Sequence, residues 1–195
     1  MKAPPEDTSP YKCHCRRLVC ENSKFEIFFD HIEDNAGFSV PNYLVVAPKQ
    51  RAENLITGTA VLPVMDGKIL LLKIYRHPIN AFSWEIPGGF LDPDEGTGES
   101  AFREFEEETG YTCAKEDIQS LGYMTPNTGI LAARIHLFVA RKCRMSKDFV
   151  PSEMGLRELQ LFSMDEVDRM ARESLIQEPC TLVAYYRYKQ GLNSQ

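Results

Sequence analysis

No apolar run in this 195-residue chain approaches the roughly 18 residues that a membrane-spanning helix needs, so no membrane partner is expected. Basic charge is also scarce. Twenty-two lysines and arginines stand against 28 acids, a net charge of −6. With no basic cluster to follow a phosphate backbone, no nucleic-acid partner is expected. The opening stretch MKAPPEDTSPYKCHC lacks the basic start and apolar core of a secretion signal, so the expected location is cytoplasmic. In that compartment the six cysteines are expected to be free thiols. Cys13, Cys15 and Cys20, with His14 among them, have no second pair at finger-like spacing and are read as the frayed approach to a strand. The single tryptophan is Trp84, so the N-terminal strands have none to stack on a base.

What is present suits one domain with an N-terminal appendage, with 43% apolar and 26% charged residues. Residues 1–10 read as a loose tail. Arg16 to Cys20, Phe25 to His31 and the run PNYLVVAP read as antiparallel strands separated by turns at Glu21–Ser23 and Gly37. Asp66-Gly67 between two apolar runs is a hairpin signal. LGYMTPNTGI and RIHLFVARKC read as another strand pair, and LRELQLFS as a further strand. SMDEVDRMARESLI opens on a serine cap, and EPCTLVAYYRYKQG carries an early proline and a late glycine, so both are predicted helices. The division expected is residues 1–50, a tail and antiparallel strand arm, and residues 51–195, the main domain. The fold class is α+β with a mixed sheet.

A third predicted helix, Gly98 to Thr109, contains a conflict. Ala101, Phe102 and Phe105 mark a buried stripe, and Gly110 is a left-handed stop. Arg103 lies four residues from both Glu99 and Glu107 and is expected to bridge them. Glu104 and Glu108 stack on one face, however, and Glu106, Glu107 and Glu108 crowd the last turn. There the helix dipole penalises each anion by roughly 0.3 to 1 kcal/mol. A solvated acidic face would place acids at the helix start instead. A hard cation such as magnesium, shared by carboxylates one turn apart and bridging them to phosphates, removes the conflict. Gly88-Gly89 just upstream would let the backbone approach such an ion or its ligand.

Gly89, Glu95 and the run Arg103-Glu104-Phe105-Glu106-Glu107-Glu108-Thr109-Gly110-Tyr111 resemble the Nudix box, with every fixed position filled. The resemblance implies an α/β/α sandwich and hydrolysis of a nucleoside diphosphate linked to another moiety. It implies Glu104 and Glu108 as main ligands of Mg2+, with Mn2+ a possible substitute, and Glu107 as a further ligand or catalytic helper. It gives the Gly88 carbonyl as another ligand, and Gly89, Glu95, Arg103 and Gly110 as structural residues of the motif. Beyond the box, ENSKFEIFFDHIEDNAG and LLKIYRHPINAFSWEIPGG resemble the ADP-ribose pyrophosphatase branch, whose N-terminal strands exchange between subunits of a homodimer. That implies Arg76 as a phosphate-facing arginine, and Pro126, sixteen positions past Gly110, as the branch's marker. Tyr43, Phe28 and Phe29 are the candidates to stand beside the base, and Tyr43 joins Arg76 and Pro126 in the expected substrate-binding set.

The chain departs from the branch where a loop glutamate often serves as general base. The aligned position is Gly155, flanked by Glu153 and Glu158, and Glu153 is the expected base. The function implied is Mg-dependent cleavage of ADP-ribose to AMP and ribose 5-phosphate. The alternatives are a UDP-glucose or GDP-mannose pyrophosphatase, or a non-catalytic module that binds or senses a nucleotide sugar.

Overall fold

The computed structural model describes residues 9–151 and 153–192, so the tail expected over residues 1–10 lies almost wholly outside the described residues. The chain forms two compact units, Met1–Lys49 with Asn127–Ala133, and Gln50–Pro126 with Arg134–Gln195. The first of these units takes in residues 127–133, which no local signal in the sequence joins to the strand arm.

The first unit is a three-stranded antiparallel sheet in the order β1 (Tyr11–Glu21), β2 (Phe25–Asp34), β3 (Ser39–Pro48). Short polar side chains make its turns. Asn22 Oδ1 accepts from the amides of Lys24 and Phe25 at 2.8 and 2.7 Å, and Asp34 Oδ1 from those of Ala36 and Phe38 at 2.9 and 2.8 Å. Segment 127–133 adds to this unit through Val46, whose amide donates to Ile130 O and whose carbonyl accepts from Ala132, both at 2.9 Å.

In the second unit, β4 (Ile56–Met65) turns into β5 (Lys68–Arg76) through Asp66 and Gly67 at φ 48° and 75°. Both positive angles are what a two-residue hairpin with the sheet's own twist requires. β6 (Ala81–Glu85) pairs with β5 and β7 (Gly88–Phe90) with β4. The predicted strand pair is β9 (Ile118–Met124) and β10 (Arg134–Ala140), antiparallel to each other. β10 also runs parallel to β4, and β12 (Leu156–Ser163) closes the other edge, giving the order β12-β5-β4-β10-β9. β8 (Tyr111–Thr112) and β11 (Arg144–Met145) make a separate two-stranded ribbon.

Alternation along the central strands assigns the two faces of the sheet. Val61, Phe138 and Ala140 cluster with Ala101 and Phe105 of α1 (Thr97–Thr109). Their neighbours Leu62, Leu137 and Val139 cluster with Val167 and Met170 of α2 (Met164–Arg172) and Ala184 and Tyr185 of α3 (Pro179–Leu192). That is the expected α/β/α sandwich with a mixed sheet. Of the predicted stripe on α1, Ala101 and Phe105 are fully buried and Phe102 half-buried.

Both predicted helices are capped at their starts, while the late glycine, Gly191, lies inside α3 rather than past its end. Ser163 Oγ accepts from the Glu166 amide at 3.3 Å at the start of α2, while Glu178 accepts from the amides of Cys180 and Thr181 at 2.8 and 2.6 Å at the start of α3. All six cysteines are free. Among the described residues no helix is long and apolar enough to cross a membrane.

Candidate active site

α1 carries its charge as the sequence has it, with a left-handed Gly110 (φ 74°) ending the helix one residue beyond three glutamates. One of the two expected bridges is absent. Glu99 accepts instead from the Gly96 amide at 3.4 Å, satisfying a donor at the helix's own start. Arg103 turns to the preceding loop, where Nε and Nη2 donate to the two oxygens of Glu95 at 2.8 and 2.9 Å. Its Nη1 donates to Glu104 at 3.0 Å and Glu107 at 3.3 Å. The guanidinium holds the Glu95 carboxyl down at about 2. Arg103 thus locks the loop to the helix and steers the Glu104 carboxylate.

Gly88 and Gly89 lie under this face of α1 because a side chain cannot. A Cβ on Gly89 would meet Glu104 Oε1 at 2.3 Å, and one on Gly88 would meet the Thr59 carbonyl at 2.3 Å. The Gly88 amide donates to Glu108 Oε2 at 2.8 Å. Glu104, Glu108 and Glu153 offer carboxylate oxygens that all lie within 4.8 Å of one another, the first two buried and the third exposed. Burial first, then the Glu153 carboxylate, pushes the Glu108 carboxyl up to about 9. Burial likewise raises Glu104, against the pull of Arg103. A set of carboxylate oxygens that repel one another in a desolvated pocket is the donor chemistry of a hard divalent cation, so the residues present fit magnesium.

Beside them lies a cleft of ≈ 290 Å³, lined in part by Arg76, Glu85, Gly88, Gly89, Phe90 and Glu153. Arg76, at the end of β5, donates through Nε to both oxygens of Glu85 at 3.1 Å and through Nη2 to Oε2 at 2.6 Å. The loop before β12 brings Glu153 in because Gly155 turns in the left-handed region (φ 94°), with its carbonyl on the Tyr75 amide at 3.0 Å.

The structure thus gathers Glu104, Glu108, Glu153, Arg76, Gly88 and Gly89. Glu107 is exposed and paired with Arg103, outside the group of three. Glu158 is ion-paired to Lys73 at 3.0 Å on β12, away from the carboxylate cluster. Tyr43 belongs to the first unit, where its hydroxyl donates to Gly129 O at 2.8 Å. Phe28 and Phe29 lie under Arg16 and Arg17 of the same sheet. Pro126 is in the loop after β9. Sequence reading missed Glu85, whose only signal was one acid in the largely apolar run FSWEIP.

The sequence pattern of the NUDIX domain matches residues 55–180. A CMP-5'-(N-acetyl-N-hydroxy-3-aminopropyl)phosphonate hydrolase of Streptomyces rubellomurinus (strain ATCC 31215) is 29% identical over 126 residues, 64% of this chain and 56% of that protein. An ADP-ribose pyrophosphatase of Bacillus subtilis (strain 168) is 40% identical over 86 residues, 44% of this chain and 45% of that protein. The chain thus spans about half the length of these curated relatives. A crystal structure of an ADP compounds hydrolase superposes with a TM-score of 0.79 at 15% identity, covering 97% of this chain and 98% of that one, which shows the fold.

Proposed function

Because the chain belongs to the NUDIX domain family, we propose that it hydrolyses the diphosphate bond of a nucleoside diphosphate sugar, with ADP-ribose the first substrate, using a divalent cation. The convergence of Glu104, Glu108 and Glu153 beside a cleft lined by Arg76 carries this reading. The relative named ADP-ribose pyrophosphatase supports the substrate.

In this reading Glu104 and Glu108 hold magnesium or manganese, with Glu107 and the Gly88 carbonyl as further ligands. When bound, the cation neutralises the diphosphate and lowers the pKa of the attacking water. Arg76 donates to a phosphate oxygen. Glu153, exposed to solvent, takes the water's proton on a carboxylate oxygen. The water oxygen bonds to one phosphorus, the bridging oxygen leaves with the other, and ADP-ribose plus water becomes AMP plus ribose 5-phosphate. Tyr43 and Pro126 are proposed as substrate contacts on the resemblance alone. A cytoplasmic setting fits six free thiols, and a homodimer through the first unit would cover its exposed Tyr11, Leu18, Phe38 and Val40.

Product analysis on ADP-ribose, UDP-glucose and GDP-mannose, with and without magnesium, is the test. AMP and ribose 5-phosphate formed only with magnesium, and faster than products of the other two, is the expected result. Faster turnover of another sugar nucleotide would replace the substrate. Stabilisation by ADP-ribose with no hydrolysis of any compound would leave a binding module and overturn the enzyme.

A further inference from the structure

Glu85 is among the most enclosed charged residues of the second unit, with its side chain only 5% exposed, and its partner Arg76 is 47% exposed. The asymmetry is informative. A buried ion pair formed only for stability gains little, because desolvation offsets most of its attraction. Here the carboxylate is sealed while the arginine reaches into the cleft. Glu85 engages Nε and Nη2 of the guanidinium, and no hydrogen bond to Nη1 occurs among the described residues. One edge of a rigid planar fork is clamped, and the Nη1 donors remain to meet a ligand.

The clamp itself is anchored. Directly after Glu85, the Ile86 amide donates to Thr181 Oγ1 at 3.0 Å, and the Pro87 carbonyl accepts from Val61 at 2.8 Å. At the next residue, the Gly88 amide donates to Glu108 at 2.8 Å. A single stretch of four residues, 85–88, therefore sets both the arginine and a carboxylate of the cation site. Arg76 is held at its backbone end as well. It precedes a short 3-10 turn, His77–Ile79, closed by Asn80 in the left-handed region, whose side chain accepts from the Tyr75 hydroxyl.

We propose that Glu85 is a positioning residue, which fixes the Arg76 guanidinium so that its free Nη1 edge meets a phosphate of the diphosphate group. This deepens the function proposed above and rests on it for the identity of the substrate. A flexible arginine would bind a phosphate and then have to be ordered with it. A clamped one has already given up that freedom before substrate arrives.

The test compares wild type with Glu85→Gln, Arg76→Ala and the double variant. Glutamine keeps the shape of Glu85 and removes the charge, and a thermal melt confirms that each variant folds. Two readouts are taken with magnesium present: KM and kcat for ADP-ribose, and calorimetric binding of imidodiphosphate, a diphosphate that the enzyme does not need to cleave. Expected are a rise in KM and in the dissociation constant of about 10- to 100-fold for Glu85→Gln, the range that loss of an outer-shell partner costs. The double variant is expected to be no worse than Arg76→Ala alone, since a positioning residue has nothing left to position. Losses that multiply in the double variant, or unchanged binding in Glu85→Gln, overturn the proposal. If wild type fails to cleave ADP-ribose, the function reading falls and the imidodiphosphate cycle still decides the clamp. Absence of imidodiphosphate binding by wild type removes the phosphate-holding role of Arg76, and the proposal with it.

Discussion

Replacing Gly89 by alanine would place a Cβ 2.3 Å from Oε1 of Glu104, and the same change at Gly88 would place one 2.3 Å from the Thr59 backbone oxygen. The two obstacles differ in kind. A carboxylate tip swings away, whereas a strand's carbonyl cannot without moving β4. Gly89→Ala should therefore melt within a few degrees of wild type and lose about 10-fold or more in turnover, because a displaced ligand oxygen costs activity rather than fold. Gly88→Ala should lose stability by about 1–3 kcal/mol, the usual cost of forcing well-packed structure apart. Denaturant midpoints and initial rates on the two variants, measured side by side, check the contrast. Glu108→Gln should cut turnover by at least about 100-fold with the far-ultraviolet circular dichroism unchanged, since the amide offers one acceptor oxygen and no charge to a hard cation. Most of these residues were legible because the spacing of carboxylates in one helix violates what a stable helix would choose. Glu85 was not, because a buried carboxylate is recognisable only once its partner's place in three dimensions is known.

At the scale of elements, α1 is held at both ends by groups distant in sequence. His136 on β10 hydrogen-bonds Thr97 Oγ1 through Nδ1 at 2.9 Å and Ser120 Oγ through Nε2 at 2.8 Å, joining the helix start to β9 and β10. A neutral ring serves both hydroxyls, donating from one nitrogen and accepting at the other. Burial lowers its pKa from 6.5. The unfolded chain therefore takes up this proton more readily than the native one, so the contribution is complete above about 6.5 and declines as pH falls towards the lowered native value. Melting temperatures between pH 7.5 and 5 should drop more for wild type than for His136→Gln, and parallel curves would refute the role. At the other end, alanine at Gly110 meets both the left-handed φ of 74° and the Lys147 carbonyl, 2.5 Å from the added Cβ. A loss of about 1–3 kcal/mol is expected, read from denaturant midpoints. Helices were readable from Ser163, Pro179 and Gly110 because capping is local chemistry. β8 and β11, two residues each, carry no period at all. Helix spacing alone hid the choice of Glu95 over Glu99 by Arg103, because the Gly96 amide competes for Glu99, and only the motif resemblance pointed to Glu95 and Arg103 as structural.

Across the whole molecule, the exposed side chains of the first unit lead to a solution prediction. Phe38 and Val40 are 78% and 38% exposed, so sedimentation of wild type should report a dimer and Phe38→Asp/Val40→Asp a shift towards monomer. A monomeric wild type would remove the dimer from the proposed function. The parallel pairing of β10 with β4 could not be read locally, since Leu137 and Ala60 are partners that 76 intervening residues separate. The same holds for segment 127–133, where Ile130 hydrogen-bonds Val46, 84 positions earlier in the chain. That pairing makes the first unit discontinuous, and the discontinuity bears on any attempt to trim the protein. A fragment beginning at Gln50 would still carry the orphaned stretch from Asn127 to Ala133, with the Ile130 carbonyl and the Ala132 amide stripped of Val46 and open to any passing edge. Deleting the N-terminal arm would thus create a sticky seam in the middle of the remaining chain, so a soluble core fragment calls for shortening that inner loop at the same time.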